Sequence, residues 1–247
     1  MKALNKTPSW LKFVAIALLA LSVACQRYSI NAADSTGMPS VSTATPQAIA
    51  TPTTAPPAQP NKPANSAQLV DLRSVDPTIR LDLRYATTNN FMRRRLYKQP
   101  RCLLRAIVAK QLAAVQKDLE TKGLGLKMYD CYRPLSVQKQ MWKLFPDDRY
   151  VANPATGSRH NRGSAVDVTL VDRTGKELMM PTGFDDFTEQ AATNYNGASA
   201  QAKQNRQRLK DAMTKHGFTP LQTEWWHFDA ASWAQFPVLD IPLEAVL

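Results

Sequence analysis

Ser158-Arg159-His160-Asn161-Arg162-Gly163-Ser164-Ala165-Val166-Asp167 is the stretch on which the reading of this chain turns. A polar run ends at Gly163, a residue free to take a left-handed turn. Ser164 to Val171 then reads as a strand of small, apolar and β-branched residues. The histidine sits in the turn and the aspartate on the strand. Such a loop can fold its imidazole back over the strand that follows, so His160 and Asp167 can meet at one point. The chain has only three histidines, which makes the place of a second one informative. It lies in Glu224-Trp225-Trp226-His227, where Trp225 to Asp229 reads as another strand. On a regular strand Glu224 and His227 would face opposite ways, so Glu224 is expected just ahead of the strand proper.

The two strings together supply two neutral imidazoles and one or two carboxylates. Zinc takes N and O ligands of these kinds, and a catalytic zinc keeps one position open for water. The carboxylate left over can act as base on that water. Taken singly, either pair is also what an ordinary core or surface histidine produces by chance. Together, with Ser158 two residues ahead of His160 and with Gly163 and Ala165 at set positions, they form a far more selective pattern.

Outward from these strings the chain mixes strands and helices without strict βαβ alternation, which predicts an α+β fold. Leu69 to Leu72 and Ile79 to Tyr85 alternate like strands, with Ile79, Leu81, Leu83 and Tyr85 on one face. Leu104, Val108, Leu112, Val115 and Leu119 recur at spacings of four and three, marking an amphipathic helix closed by Gly123. Leu124 to Tyr129 reads as a strand, and Ser136 is placed to cap a helix running through Phe145. Ala202 to His216 reads as a helix ended by Gly217, with His216 complementing its last carbonyls.

Composition sets the limits. The chain has 247 residues, a formal charge of +11, 17 Pro, 9 Gly and 3 Cys. Collagen and a disulfide-built miniprotein are excluded by those counts. Lys2, Lys6 and Lys12 precede an apolar or small run from Phe13 to Ala24, the size of a secretory segment and short of a membrane span. Residues 1–25 are therefore expected to be an export signal, with Cys25 a candidate lipidation site. Residues 26–68 are read as a disordered linker, since seven prolines fall between Pro39 and Pro63 and no aromatic residue lies between Tyr28 and Tyr85. Residues 69–247 form the expected single domain. If Cys25 is lipidated, Cys102 and Cys131 are an even pair in an exported chain and suggest a disulfide. Arg93, Arg94 and Arg95 with Lys98, Arg101 and Arg105 read as a solvated basic face, as do Arg206, Arg208 and Lys210. No nucleic-acid motif accompanies the charge, so no nucleic-acid partner is expected.

The pattern from Ser158 to Asp167, followed by Glu224 to His227, resembles the zinc D,D-peptidases, whose metal-binding fold is shared with the Hedgehog signalling domain. Tyr129-Asp130-Cys131-Tyr132-Arg133-Pro134 is similar to a string of the VanX-type D-alanyl-D-alanine dipeptidases. So are Arg84 to Phe91 and Asp185-Asp186-Phe187. The resemblance spans roughly residues 69–240. It implies one domain with a central, mostly antiparallel sheet and flanking helices, and one Zn2+ held by His160, Asp167 and His227. It implies Glu224 as general base and Arg133 as the group facing the scissile carbonyl. Ser158 and Asp186 would hold the ammonium of a small dipeptide substrate. A D,D-carboxypeptidase acting on longer wall peptides, or a non-catalytic zinc- or wall-binding module, stays open at this point. The expected site of action is the bacterial periplasm or envelope. The only membrane contact expected is through a lipid on Cys25, and the expected state is a monomer or small homo-oligomer.

Overall fold

A computed structural model describes residues 64–246. The expected export signal, Cys25 and the linker up to residue 63 lie outside the described residues. Ala64–Ala67 forms a single 3-10 turn inside the stretch read as linker, and Gln68 accepts a backbone bond from Ala106. The strands are β1 (Leu69–Asp71), β2 (Arg80–Leu81), β3 (Leu103–Arg105), β4 (Leu124–Asp130), β5 (Ala165–Asp172), β6 (Phe218–Pro220) and β7 (His227–Ala230). The helices are α1 (Leu72–Val75), α2 (Ala106–Glu120), α3 (Leu135–Leu144) and α4 (Ala200–Lys215).

The fold is α+β. Its sheet runs β2-β4-β5-β7-β6, and β1 and β3 form a separate antiparallel pair. Only the short β2–β4 pairing is parallel; β4–β5, β5–β7 and β6–β7 are antiparallel. Alternation along β5 divides the residues between the two faces. Val166, Val168 and Leu170 on one side are fully buried in the main core with Leu126 and Met128 of β4. Helix α2 packs on β4, and α4 packs on β5 and β6. The opposite side of β5 carries Asp167. The described residues contain no helix long and apolar enough to cross a membrane.

Several expected elements shift. Leu104 belongs to β3 rather than to the helix, and α2 begins at Ala106. Val108, Leu112, Val115 and Leu119 do form its buried stripe. Ile79 to Tyr85 has the expected burial, but its ladder covers only Arg80 and Leu81. The chain then turns through Arg84–Ala86, and the carbonyl of Tyr85 accepts from the amides of Leu96 and Tyr97. Ser136 lies inside α3 instead of capping it; Pro134 holds the cap position, and Asp240 accepts from the Ser136 amide at 2.8 Å. His216 ends α4, but its ring binds Asp118 of α2 at 2.7 Å rather than helix carbonyls.

The expected basic face also divides. Arg93, Arg94, Arg95 and Lys98 are exposed. Arg105 is buried and donates to the carbonyls of Ala67, Arg162 and Pro237, while Arg101 binds Asp71 and the C-terminal carbonyls of Leu243 and Val246. Arg206 is buried as well and donates to Ala192. Long cationic stems that reach carbonyls in this way act as packing residues.

Candidate metal and catalytic centre

The centre is a row across three strands. In register, Asp130 of β4 faces Asp167 of β5, and Asp167 faces His227 of β7. A register shift between Met128 and Asp130 interrupts the β4–β5 ladder; such bulges re-aim side chains. His160 reaches the row from its own 3-10 turn, His160–Arg162, which closes at Gly163 in the left-handed conformation (φ 68°). A side chain at Gly163 would run into Leu69, so this tight turn requires glycine. Glu224 precedes the strand: its carbonyl accepts from His227 N, and β7 starts at His227.

Three donor atoms converge. His160 Nε2 and His227 Nδ1 are 3.1 Å apart, His227 Nδ1 and Asp167 Oδ1 are 3.0 Å apart, and His160 Nε2 and Asp167 Oδ1 are 3.3 Å apart. All three residues are buried. The outward ring nitrogens have fixed roles. His160 Nδ1 donates to the Cys131 carbonyl at 2.7 Å, and His227 Nε2 donates to Asp229 Oδ1 at 3.0 Å. With those nitrogens engaged, the rings turn His160 Nε2 and His227 Nδ1 on each other and on Asp167, an arrangement that needs a proton or a metal ion between them. Ligands about 2.0–2.2 Å from a tetrahedral ion stand about 3.3–3.6 Å from each other, so this trio fits a divalent metal with slight expansion. The partners that orient ligand rings complete the site.

Electrostatics agree. Burial alone would lower the His227 pKa, but hydrogen bonds to Asp167 and Asp229 push it up to about 10. Burial raises the Asp167 carboxyl, yet the two histidines hold it well below the usual carboxylate range. Glu224 is buried beside them, and burial pushes it up to about 8. A carboxyl so displaced in a cleft marks a functional position.

Arg133 follows β4. Its Nε and Nη2 both donate to Asp130 Oδ2, at 3.0 and 2.7 Å, and Nη1 donates to Gln138 at 2.8 Å. Asp130 is in turn held by Tyr97 OH at 2.8 Å. Arg133 Nη2 stands 3.9 Å from Asp167 Oδ2, and the guanidinium lies over the Tyr85 ring. The five N–H groups of an arginine are thus only partly used, and the remaining ones border the trio.

A cavity of about 460 Å³ opens onto these groups. It is lined by Arg133, His160, Asp167, Glu224 and His227, and also by Ser158, Tyr85 and Asp185. Ser158 Oγ accepts from His160 N at 3.2 Å. Asp186, the expected ammonium partner, is not in the cavity lining; its carboxylate accepts from Thr188 Oγ1 at 2.7 Å. Its neighbour Asp185 lines the cavity. It has a left-handed backbone (φ 61°), and its carboxylate accepts from Tyr85 OH at 2.9 Å and Phe91 N at 3.2 Å. Burial pushes it up to about 7. Phe187, two residues on, packs against Phe91, Phe145 and Tyr150 at centroid distances of 5.1–5.2 Å, and Phe91, Tyr150 and Phe187 line the cavity. Two adjacent aspartates cannot be told apart by spacing; the structure places Asp185, and not Asp186, in the cavity lining. Asp229 was legible in principle, since it stands two residues beyond His227 on one strand face. Cys102 and Cys131 are joined in a disulfide, Cα atoms 5.2 Å apart.

A buried ligand trio with an open side, a raised carboxyl and an arginine around one small cavity define a metal-dependent hydrolase. The D-Ala-D-Ala dipeptidase family of M15 peptidases matches residues 65–238, and the chain belongs to that family. A D-alanyl-D-alanine dipeptidase of Escherichia coli K12 is 36% identical over 176 residues, covering 71% of this chain and 91% of the relative. One from Enterococcus faecium is 32% identical over 171 residues, covering 61% and 85%. Among solved structures, the LD-carboxypeptidase LdcB is 18% identical with a TM-score of 0.40, covering 75% of this chain and 80% of that one.

Proposed function

We propose that this protein hydrolyses the dipeptide D-alanyl-D-alanine to free D-alanine in cell-wall metabolism, with zinc at His160, Asp167 and His227. The observation that carries the reading is the raised Glu224 carboxyl beside a metal-fitting trio, in a cavity with an acidic group at one end. A divalent ion held by His160, Asp167 and His227 would supply Lewis-acid polarisation of the scissile carbonyl and acidification of water. Glu224, as carboxylate, takes the proton of the attacking water and passes it to the leaving amine. Arg133, preset by Asp130 and Gln138, donates to the carbonyl oxygen as its charge develops. An arginine suits this task because its charge is permanent and its donors are fixed in a plane.

The substrate is a zwitterion, and Asp185 is the carboxylate that suits its ammonium; a paired ammonium returns that carboxyl to its charged form. Ser158 lines the same cavity. An N-acylated or longer peptide has no ammonium to offer there and would meet the wall of Phe91, Tyr150 and Phe187. The export signal, Cys25 lipidation and an envelope location belong to this proposal and are supported by the leader's residue pattern. The test compares D-Ala release from the free dipeptide and from a pentapeptide ending in D-Ala-D-Ala. The dipeptide is expected to be strongly preferred; efficient pentapeptide cleavage would instead identify a carboxypeptidase.

A further inference from the structure

The roles above leave one end of the substrate without a partner. A dipeptide that ends in a free carboxylate brings a negative charge into a partly desolvated cavity, and such a charge is costly unless a cation meets it. Four arginines line the cavity: Arg133, Arg149, Arg159 and Arg162. Arg133 is engaged by Asp130 and Gln138 and faces the reacting carbonyl. Arg149 is 71% exposed and gives its Nε and Nη2 to Asp147. Arg162 donates through Nη1 to the Phe236 carbonyl at 2.6 Å.

Arg162, like Arg159, leaves Nε and Nη2 unbonded among the described residues and lies over Trp233, at 5.6 Å; Arg159 is set apart from it by a bond to Asp229, which holds a ring of the ligand trio. Its Nη1 grips Asp229 Oδ2 at 2.6 Å, and its guanidinium lies over Trp233 at 4.5 Å. Its Nε and Nη2 make no hydrogen bond among the described residues. The side chain is 40% exposed, so these donors are accessible while the group is held on two sides. Asp229 also holds His227 Nε2 at 3.0 Å, which puts Arg159 on the His227 side of the trio. Asp185 lies elsewhere: it is bonded to Tyr85 and Phe91 and feels the charges of Asp167 and Arg133. The cavity thus holds an acidic group and a basic group with spare donors, each fixed by different neighbours, the two charges a zwitterion requires.

We infer that Arg159 anchors the terminal carboxylate of the substrate and makes the enzyme select peptides whose second residue ends in a free acid. This deepens the dipeptidase reading and rests on it. Two planar N–H donors match a carboxylate in a way a point charge does not. Asp229 and Trp233 remove most of the entropy that ordering an arginine would otherwise cost.

The test uses the full-length, zinc-loaded protein with two substrates, D-Ala-D-Ala and its C-terminal amide. Both carry the same ammonium and scissile bond and differ only in the terminal charge. The wild type is expected to favour the acid by about 10- to 100-fold in kcat/KM, the range of a charge-assisted hydrogen bond. Arg159→Ala should bring the ratio close to one, by losing the acid while sparing the amide, and Arg159→Lys should restore part of it. Zinc content, measured on each variant, separates this from damage relayed through Asp229 to His227. A metal-loaded Arg159→Ala that keeps the acid-to-amide ratio, or loses both substrates alike, would overturn the proposal alone. A wild type that hydrolyses neither substrate would overturn the dipeptidase reading, and this inference with it.

Discussion

At Glu224 the fate of one carboxyl decides the chemistry. Burial pushes it up to about 8 in the protein alone, and a bound cation pulls it back toward its ordinary range. The acid limb of kcat/KM should therefore fall between the ordinary 4.5 and about 8, with activity lost as pH drops and the base takes a proton. Glu224→Ala should cost about 100- to 10,000-fold in kcat while zinc content stays unchanged, as measured by kinetics and metal analysis on one sample. Arg133→Ala should lose about 3–4 kcal/mol of barrier stabilisation, read as kcat/KM. His227 gives a separate prediction. With its pKa raised to about 10, the ring keeps a proton at neutral pH that a cation must displace. Zinc affinity should therefore rise with pH, roughly tenfold per unit between pH 6 and 8, by competition titration; a flat profile would mean that no proton is displaced. His160, Asp167, Glu224 and His227 could be picked out in the sequence because short spacings carry them, and Arg133 through the resemblance of its string to the dipeptidases. Asp185 and Arg159 could not. Which of two adjacent aspartates turns inward is set by one left-handed backbone angle, and which arginine keeps free donors depends on partners distant in sequence.

Strands β4, β5 and β7 do at the level of elements what spacing alone cannot. Their register sets Asp130, Asp167 and His227 in one row, and the irregularity before Asp130 brings Arg133 up to the trio. The amphipathic stripe of α2 and the strands β4 and β5 were legible because burial repeats with the period of the element. The short pieces were not. β3 and β6 have three residues each, too few for a period to show, and α3 takes its cap from Asp240, about a hundred residues away. The Cys102–Cys131 disulfide ties β3 to the strand end that carries Arg133. The Cys131 carbonyl also fixes the His160 tautomer. Replacing both cysteines with serine should cost about 2–5 kcal/mol, read by thermal unfolding. Zinc affinity should fall in parallel, since the backbone that orients His160 is loosened. Unchanged affinity in the destabilised variant would separate the disulfide from the metal site.

Across the whole molecule, one sheet buries its apolar face under α2 and α4 and uses the other to assemble a small, polar, aromatic-walled cavity. The chain's +11 charge is divided among several parts of the molecule. Three lysines belong to the expected export signal. Arg101, Arg105 and Arg206 hold carbonyls, and Arg133 and Arg159 line the cavity. The proposed dipeptidase site depends on a bound metal and on Glu224 as proton carrier. Both are tested by stripping the protein with a chelator and returning zinc in steps while D-alanine release from D-Ala-D-Ala is followed. Activity is expected to disappear on stripping and to return fully at one equivalent of zinc, and Glu224→Ala is expected to bind the same equivalent without recovering. Full activity in the stripped protein, or wild-type activity in zinc-loaded Glu224→Ala, would contradict this proposal.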